Sequence, residues 1–210
     1  MAKHLYTYIN PLAEKHLAEA LGVLSNDGLI AYATEVNWAV GCAADSVKAV
    51  RRIQQLKSEH PKNQPFTLLC NSLSMVADMA VVEQSTYRFL RKILPGPYTV
   101  ILPSHKGLPK IIHDKRKSVG IRIPECPLLM GLIAALEKPI LTSSLPLGTF
   151  GDEAPRFGYD VESRFGHLLD LILDLGEEVI PGETTIVDFT SGSPQVLRKG
   201  LGSVSIFAGD

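Results

Sequence analysis

An alternation runs the length of the chain: short apolar stretches bounded by turn formers take turns with segments whose apolar residues recur every three or four positions. GLIAYA at 28–33, FTLLC at 66–70, YTVIL at 98–102, SVGIRIP at 118–124 and PILTSS at 139–144 read as strands, FTLLC and YTVIL as interior ones. DLILD at 170–174, TTIVDF at 184–189, QVLRKG at 195–200 and SVSIF at 203–207 add four more. Helices are predicted between them. The first covers 11–24, with Asn10 as N-cap, Pro11 in the first turn, and Leu17, Leu21 and Leu24 on the apolar side. Asp45 is expected to cap a second, in which Ala49, Ile53 and Leu56 share a face. Others lie near 72–80, over 85–94, and over 127–137 behind Pro127. Such alternation implies an α/β layer structure with a largely buried sheet.

Two segments stand out. In LPGPYTVIL the helix must stop at Leu94, because Pro95 excludes helical angles at its neighbour, and the stiff corner aims the following strand and the Thr99 hydroxyl. Residues 146–160, PLGTFGDEAPRFGYD, are dense in glycine and proline and follow neither period, which predicts a long loop. Loops of that length are either lids over a site or poorly ordered.

At 210 residues, 45% hydrophobic and 20% charged, the chain can bury a full core, and with no internal repeat or linker a single domain over 1–210 is expected. No apolar run is long enough to cross a bilayer, and MAKHLYTYIN has no apolar signal core, so a cytoplasmic protein is expected. The three cysteines form no CxxC pair and the six histidines no i, i+4 pair, which argues against a disulfide framework or zinc site. Net charge is −1, so attraction to nucleic acid would have to be local. KGLPKIIHDKRKS, with Lys106, Lys110, Lys115, Arg116 and Lys117, and the group Arg88, Arg91 and Lys92 are either such a footprint or solvated loop charge.

Hydroxyls and cations gather where apolar runs stop: Thr34, Thr99, Arg122, Thr142 to Ser144, Thr184 with Thr185, and Arg198. Open α/β sheets bind ligands in the crevice at strand ends. Arg122, between Ile121 and Ile123, needs an anionic partner, either a ligand or a carboxylate such as Glu125. Neither GxxxxGKS, GxGxxG nor GxSxG occurs, which disfavours ordinary P-loop, dinucleotide and serine-hydrolase readings.

LPGPYTVIL, SVGIRIP, PILTSS, TTIVDF and QVLRKG follow the order and spacing of the YrdC and YciO-like family, which the chain resembles from about residue 11 to 207. The resemblance implies a twisted, open, mixed parallel and antiparallel sheet flanked by helices, YrdC/RibB-like, with a large cationic crevice. It also implies an activity resembling threonylcarbamoyl-AMP synthase: threonine, bicarbonate and ATP are joined, pyrophosphate is released, and the carbamoyl group later reaches adenosine 37 of tRNA. Carried over by motif, Lys57 and Arg198 would be the catalytic cations on the ATP phosphates, which Mg²⁺ would bridge. Thr99 and Ser144 would complete the nucleotide site. Thr34 would lie in the threonine-binding loop, and Arg122, Thr142 and Thr184 would hold threonine, Arg122 through its carboxylate.

The chain departs from the pattern in places. In ATEVNWAVG, Ala33, Glu35, Val36 and Trp38 replace the family's proline, aspartate, threonine and tyrosine. KSEHP keeps Lys57 but puts Glu59 or His60 where a second cation belongs, and Leu145-Pro146 follows Ser144 in place of Ala-Asn. These changes resemble the YciO branch. They leave two expectations: an ATP-dependent synthase-like enzyme, or a module binding nucleotide, double-stranded RNA or tRNA that has lost the synthase step.

Overall fold

The computed structural model describes residues 1–7, 13–56, 66–106, 112, 117–145 and 154–207. In chain order its elements are β1 (Lys3–Tyr6), α1 (Glu14–Ser25), β2 (Ile30–Ala33), β3 (Trp38–Ala43), α2 (Val47–Leu56) and β4 (Thr67–Leu69). They continue with α3 (Leu73–Met79), α4 (Gln84–Ile93), β5 (Tyr98–Pro103), β6 (Ser118–Arg122), α5 (Pro127–Leu136) and β7 (Ile140–Ser144). The last are α6 (Gly158–Phe165), β8 (Leu171–Asp174), β9 (Thr185–Asp188), β10 (Gln195–Arg198) and a 3₁₀ turn, Ser205–Phe207.

All the strands belong to one sheet, in the order β1-β8-β2-β3-β7-β4-β6-β5-β9-β10. β8 runs parallel to β1 and β2, β4 to β6, and β5 to β9, while the remaining pairs are antiparallel. This is the mixed, helix-flanked α/β sheet expected.

Period-two alternation divides the core between the two faces. Ile30, Tyr32, Leu171, Leu173 and Ile140 turn to one face, where α1 and α5 cover them with Ala20, Leu24, Leu129, Leu132 and Ile133. Ala31, Ala33, Ile172, Val100, Ile121 and Leu141 turn to the other, packed by Val50 and Ile53 of α2, Val76 of α3, Leu90 of α4 and Phe165 of α6. Both faces of β2 and β8 are buried, which is why those strands read as continuous apolar runs. No helix among the described residues is long and apolar enough to cross a membrane.

Several local expectations are corrected. Ser46 caps α2, its hydroxyl accepting from the Ala49 amide at 3.0 Å, while Asp45 instead pairs with Lys138 at 2.5 Å. The 146–160 segment is not all loop. Its first part, 146–153, lies outside the described residues, but α6 begins at Gly158, where the Asp160 carboxylate accepts from the amides of Arg156 and Phe157. SVSIF is no strand: Ser203 Oγ accepts from the Ser205 amide, and Phe207 packs among Phe89, Tyr98 and Phe189. The Asn10-Pro11 cap lies outside the described residues. The corner behaves as its sequence dictates: α4 ends at Ile93, and Gly96 lies so close to the Ile93 carbonyl that a Cβ there would sit 2.8 Å from its oxygen.

Candidate functional site

The face that α1 and α5 cover over β2, β8 and the start of β7 continues across β4, β6, β5 and β9, and among the described residues no helix lies over the cavity part of it. On those strands the positions that turn to this face are polar or small. Thr142 and Ser144 follow Ile140 at steps of two, Gly120 precedes Arg122, Thr99 precedes Ile101, and Thr184 precedes Ile186. With Val36, Asn37, Phe66, Thr67, Glu183 and Arg198 they line a cavity of about 440 Å³. That lies within the roughly 300–1,000 Å³ usual for small-ligand sites. The open half of one sheet face is thus the crevice.

Arg122 at the end of β6 and Arg198 at the end of β10 both line this cavity. Arg122, the last residue of β6, has a side chain only 7% exposed, with Nη2 2.7 Å from Glu35 Oε1. The approach is too oblique for a hydrogen bond, and both Nε and Nη2 are buried without one among the described residues. Glu125, the carboxylate that the sequence suggested, is not the partner; its backbone amide donates to Glu35 Oε1 at 3.3 Å. Arg198 is better satisfied. Nε donates to the Thr184 carbonyl and Nη2 to Thr184 Oγ1, each at 3.1 Å, and Nη1 pairs with the solvent-exposed Glu183 at 2.9 Å.

The hydroxyls form short chains rather than isolated points. Thr99 Oγ1 lies 2.9 Å from Thr184 Oγ1, so Arg198, Thr184 and Thr99 are one connected set. Thr142 Oγ1 accepts from the Tyr32 hydroxyl at 2.7 Å and donates to the Val40 carbonyl. Burial pushes the Tyr32 phenol far up, so it stays a neutral donor beneath the cavity floor. Ser144 Oγ accepts from Asn37 Nδ2 at 3.2 Å.

Six of the predicted site residues, Thr99, Arg122, Thr142, Ser144, Thr184 and Arg198, therefore meet around one cavity. Thr34 does not line it. Its hydroxyl donates to the Asn37 carbonyl and accepts from the amides of Val36 and Asn37, bracing the turn that presents those two residues to the cavity. Lys57, with Glu59, His60 and Lys62, lies outside the described residues, as do Lys110, Lys115 and Arg116. Sequence reasoning missed Glu35 and Glu183 as partners of the two arginines, and Asn37, Thr67 and Gly120 as lining. Gly120 and Thr67 were detectable by counting two residues along each strand from Arg122 and Leu69. The cross-chain role of Asn37 left no local signal.

Among known proteins, the Sua5/YciO/YrdC family model, described as "Telomere recombination", matches residues 22–200. The chain belongs to the Sua5/YciO/YrdC family. An uncharacterized Haemophilus influenzae member is 33% identical over 99% of this chain and all of its own length. A Psychromonas ingrahamii threonylcarbamoyl-AMP synthase is 30% identical over 86% of this chain and 96% of its own. Two solved family structures superpose closely. Escherichia coli YciO has a TM-score of 0.90 at 30% identity, covering 99% of this chain and all of that one. The Pyrococcus abyssi Sua5 structure complexed with L-threonine has a TM-score of 0.79 at 25% identity, covering 95% of this chain and 57% of that one.

Proposed function

We propose that the cavity is the active site of a threonylcarbamoyl-AMP synthase-like enzyme acting on threonine, bicarbonate and ATP. The observation that carries this reading is Arg122: a buried guanidinium at a hydroxyl-lined cavity with two nitrogens that make no hydrogen bond among the described residues. Such donors are costly to leave unmade, and a carboxylate ligand would satisfy them. The synthase relative and the threonine complex of the archaeal relative support the same assignment.

In this reading Arg122 takes the amino-acid carboxylate, with Thr142 held from below by Tyr32. Thr184 also holds the amino acid, and its hydroxyl links it to Arg198 and Thr99, which face the nucleotide with Ser144, while Lys57 would add a second cation. The carbamate oxygen of N-carboxythreonine attacks the α-phosphorus in line, the bond to the pyrophosphate oxygen breaks, and threonylcarbamoyl-AMP and pyrophosphate result. The protein contributes chiefly orientation and stabilisation of charge developing on the leaving group. Mg²⁺ would supply further charge neutralisation on the phosphates. The ATP phosphates would be its main ligands. The product would serve the modification of adenosine 37 in tRNA.

The test is pyrophosphate release by purified protein given ATP, Mg²⁺, bicarbonate and threonine. Release that depends on threonine is expected; none above the threonine-free rate rejects the reading. The second reading, an RNA- or nucleotide-binding module without turnover, draws on Arg88, Arg91 and Lys92, exposed along α4. Duplex RNA binding with a steep salt dependence, in protein that releases no pyrophosphate, would select it.

A further inference from the structure

The contact between Glu35 and Arg122 is half made. A carboxylate that neutralises a buried arginine frequently takes the guanidinium edge bidentately, with two parallel N–H···O bonds. Glu35 instead brings one oxygen to 2.7 Å of Nη2 at an angle that makes no hydrogen bond, leaving Nε and Nη2 both unsatisfied. That oxygen, Oε1, is held by the Glu125 amide. Oε2 makes no hydrogen bond among the described residues, and the Glu35 side chain keeps 23% of its surface exposed. A cation with unused donors and an anion with an unused acceptor therefore stand side by side at the edge of the cavity. Their charges sum to zero, so they offer little to a simple carboxylate. They are complementary to a ligand carrying both signs on adjacent atoms.

We propose that Glu35 is a specificity-determining residue that reads the α-ammonium of the amino acid while Arg122 reads its carboxylate, so that the site selects a free zwitterionic α-amino acid. The inference rests on the amino-acid site proposed above and adds the form in which the substrate enters. On binding, the ligand carboxylate takes the Nε and Nη2 donors, and Glu35 swings its free oxygen onto the ammonium. The acidic side chain at 35 thereby changes from a competitor for Arg122 into a contact of the ligand.

Calorimetric titration of the intact protein without ATP tests this, using L-threonine and 2,3-dihydroxybutyrate of matching stereochemistry, which carries a hydroxyl in place of the amine. Wild-type protein should bind threonine at least ~10-fold more tightly. Glu35→Gln should lose at least ~10-fold in threonine affinity and bind the dihydroxy acid as well as or better than wild type. Glu35→Asp, which keeps the charge on a shorter stem, should retain part of the preference. Equal affinities of the wild type for the two ligands overturn the proposal without any variant. So does equal weakening of both ligands by Glu35→Gln, the mark of a residue that only orders Arg122. In either case threonine still binds and the amino-acid site stands. Failure of the wild type to bind either ligand overturns both.

Discussion

The proposed role of Arg122 sets stability against function on a single side chain. Two buried guanidinium nitrogens without hydrogen bonds among the described residues destabilise the fold, and the oblique contact with Glu35 offsets only part of that. Arg122→Met fills similar space without donors and leaves Glu35 with the Glu125 amide and water. The variant should melt no lower than wild type, yet lose about 100-fold or more in threonine-dependent pyrophosphate release. A clear fall in melting temperature would make Arg122 a structural ion pair instead. Thr184 is the other sensitive point, because its hydroxyl joins Arg198 to Thr99. Thr184→Val should cost roughly tenfold in turnover with little change in melting temperature; unchanged turnover would remove the hydroxyl chain from the mechanism. At this scale much was readable in advance. A lone arginine or threonine at an alternate position of an apolar strand announces itself, as Thr99, Arg122, Thr184 and Arg198 did. Partners supplied by distant chain, such as Glu35 for Arg122 or Asn37 for Ser144, follow only from the sheet order that brings β3 beside β7.

Between elements, the edge strand β1 is fastened by a histidine. His4 sits between Glu162 of α6 at Nδ1 and Asp174 of β8 at Nε2, both at 2.9 Å, with its side chain 10% exposed. Burial alone would lower its pKa, but hydrogen bonds to the two carboxylates and their charges outweigh that and raise it above the usual 6.5. A raised folded-state pKa means the stabilisation is complete below about 6.5, where the unfolded histidine is also protonated, and is lost as pH climbs through the higher folded value. His4→Gln should therefore lower stability by on the order of 1 kcal/mol near pH 6, and less in alkaline buffer, measured by denaturant titration at each pH. A gap independent of pH would contradict this. Gly158 belongs to the same junction, since a Cβ there would lie 1.9 Å from Asp174 Oδ2. Gly158→Ala should cost about 1–3 kcal/mol and flatten the pH dependence contributed by His4. This junction was invisible in the sequence, as were β1, half exposed and only four residues long, and the start of α6 inside a glycine- and proline-rich stretch. β3 escaped because WAVGCA interrupts its apolar run with glycine and two alanines, Gly41 lying under the Tyr32 ring where a larger side chain would collide. The long buried runs of β2, β6, β7 and β8, by contrast, cannot be satisfied on a surface and were legible for that reason.

Across the whole molecule, a single sheet with helices on both faces makes the two packing layers mechanically dependent, and the cysteines sample both. Cys42 of β3 and Cys70 after β4 lie in the layer beneath α2, α3 and α4, and Cys126, preceding α5, lies in the other. All three are free and buried. Burial pushes the Cys42 and Cys70 thiols up to about 12 and raises that of Cys126 as well, so almost none is thiolate at neutral pH. Native protein should therefore react with an aromatic disulfide reagent only through opening of the fold. If the ten-stranded sheet opens as one cooperative unit, all three thiols will label with the same dependence on denaturant, matching the unfolding transition followed by circular dichroism. The division most at risk runs between the helix-covered half, β1 to β3 with β8, and the half that carries the cavity. β7 joins them, pairing with β3 on one side and β4 on the other. Earlier labelling of Cys70 than of Cys42 would show that the cavity half opens first and that the site's scaffold is less stable than the layer beside it.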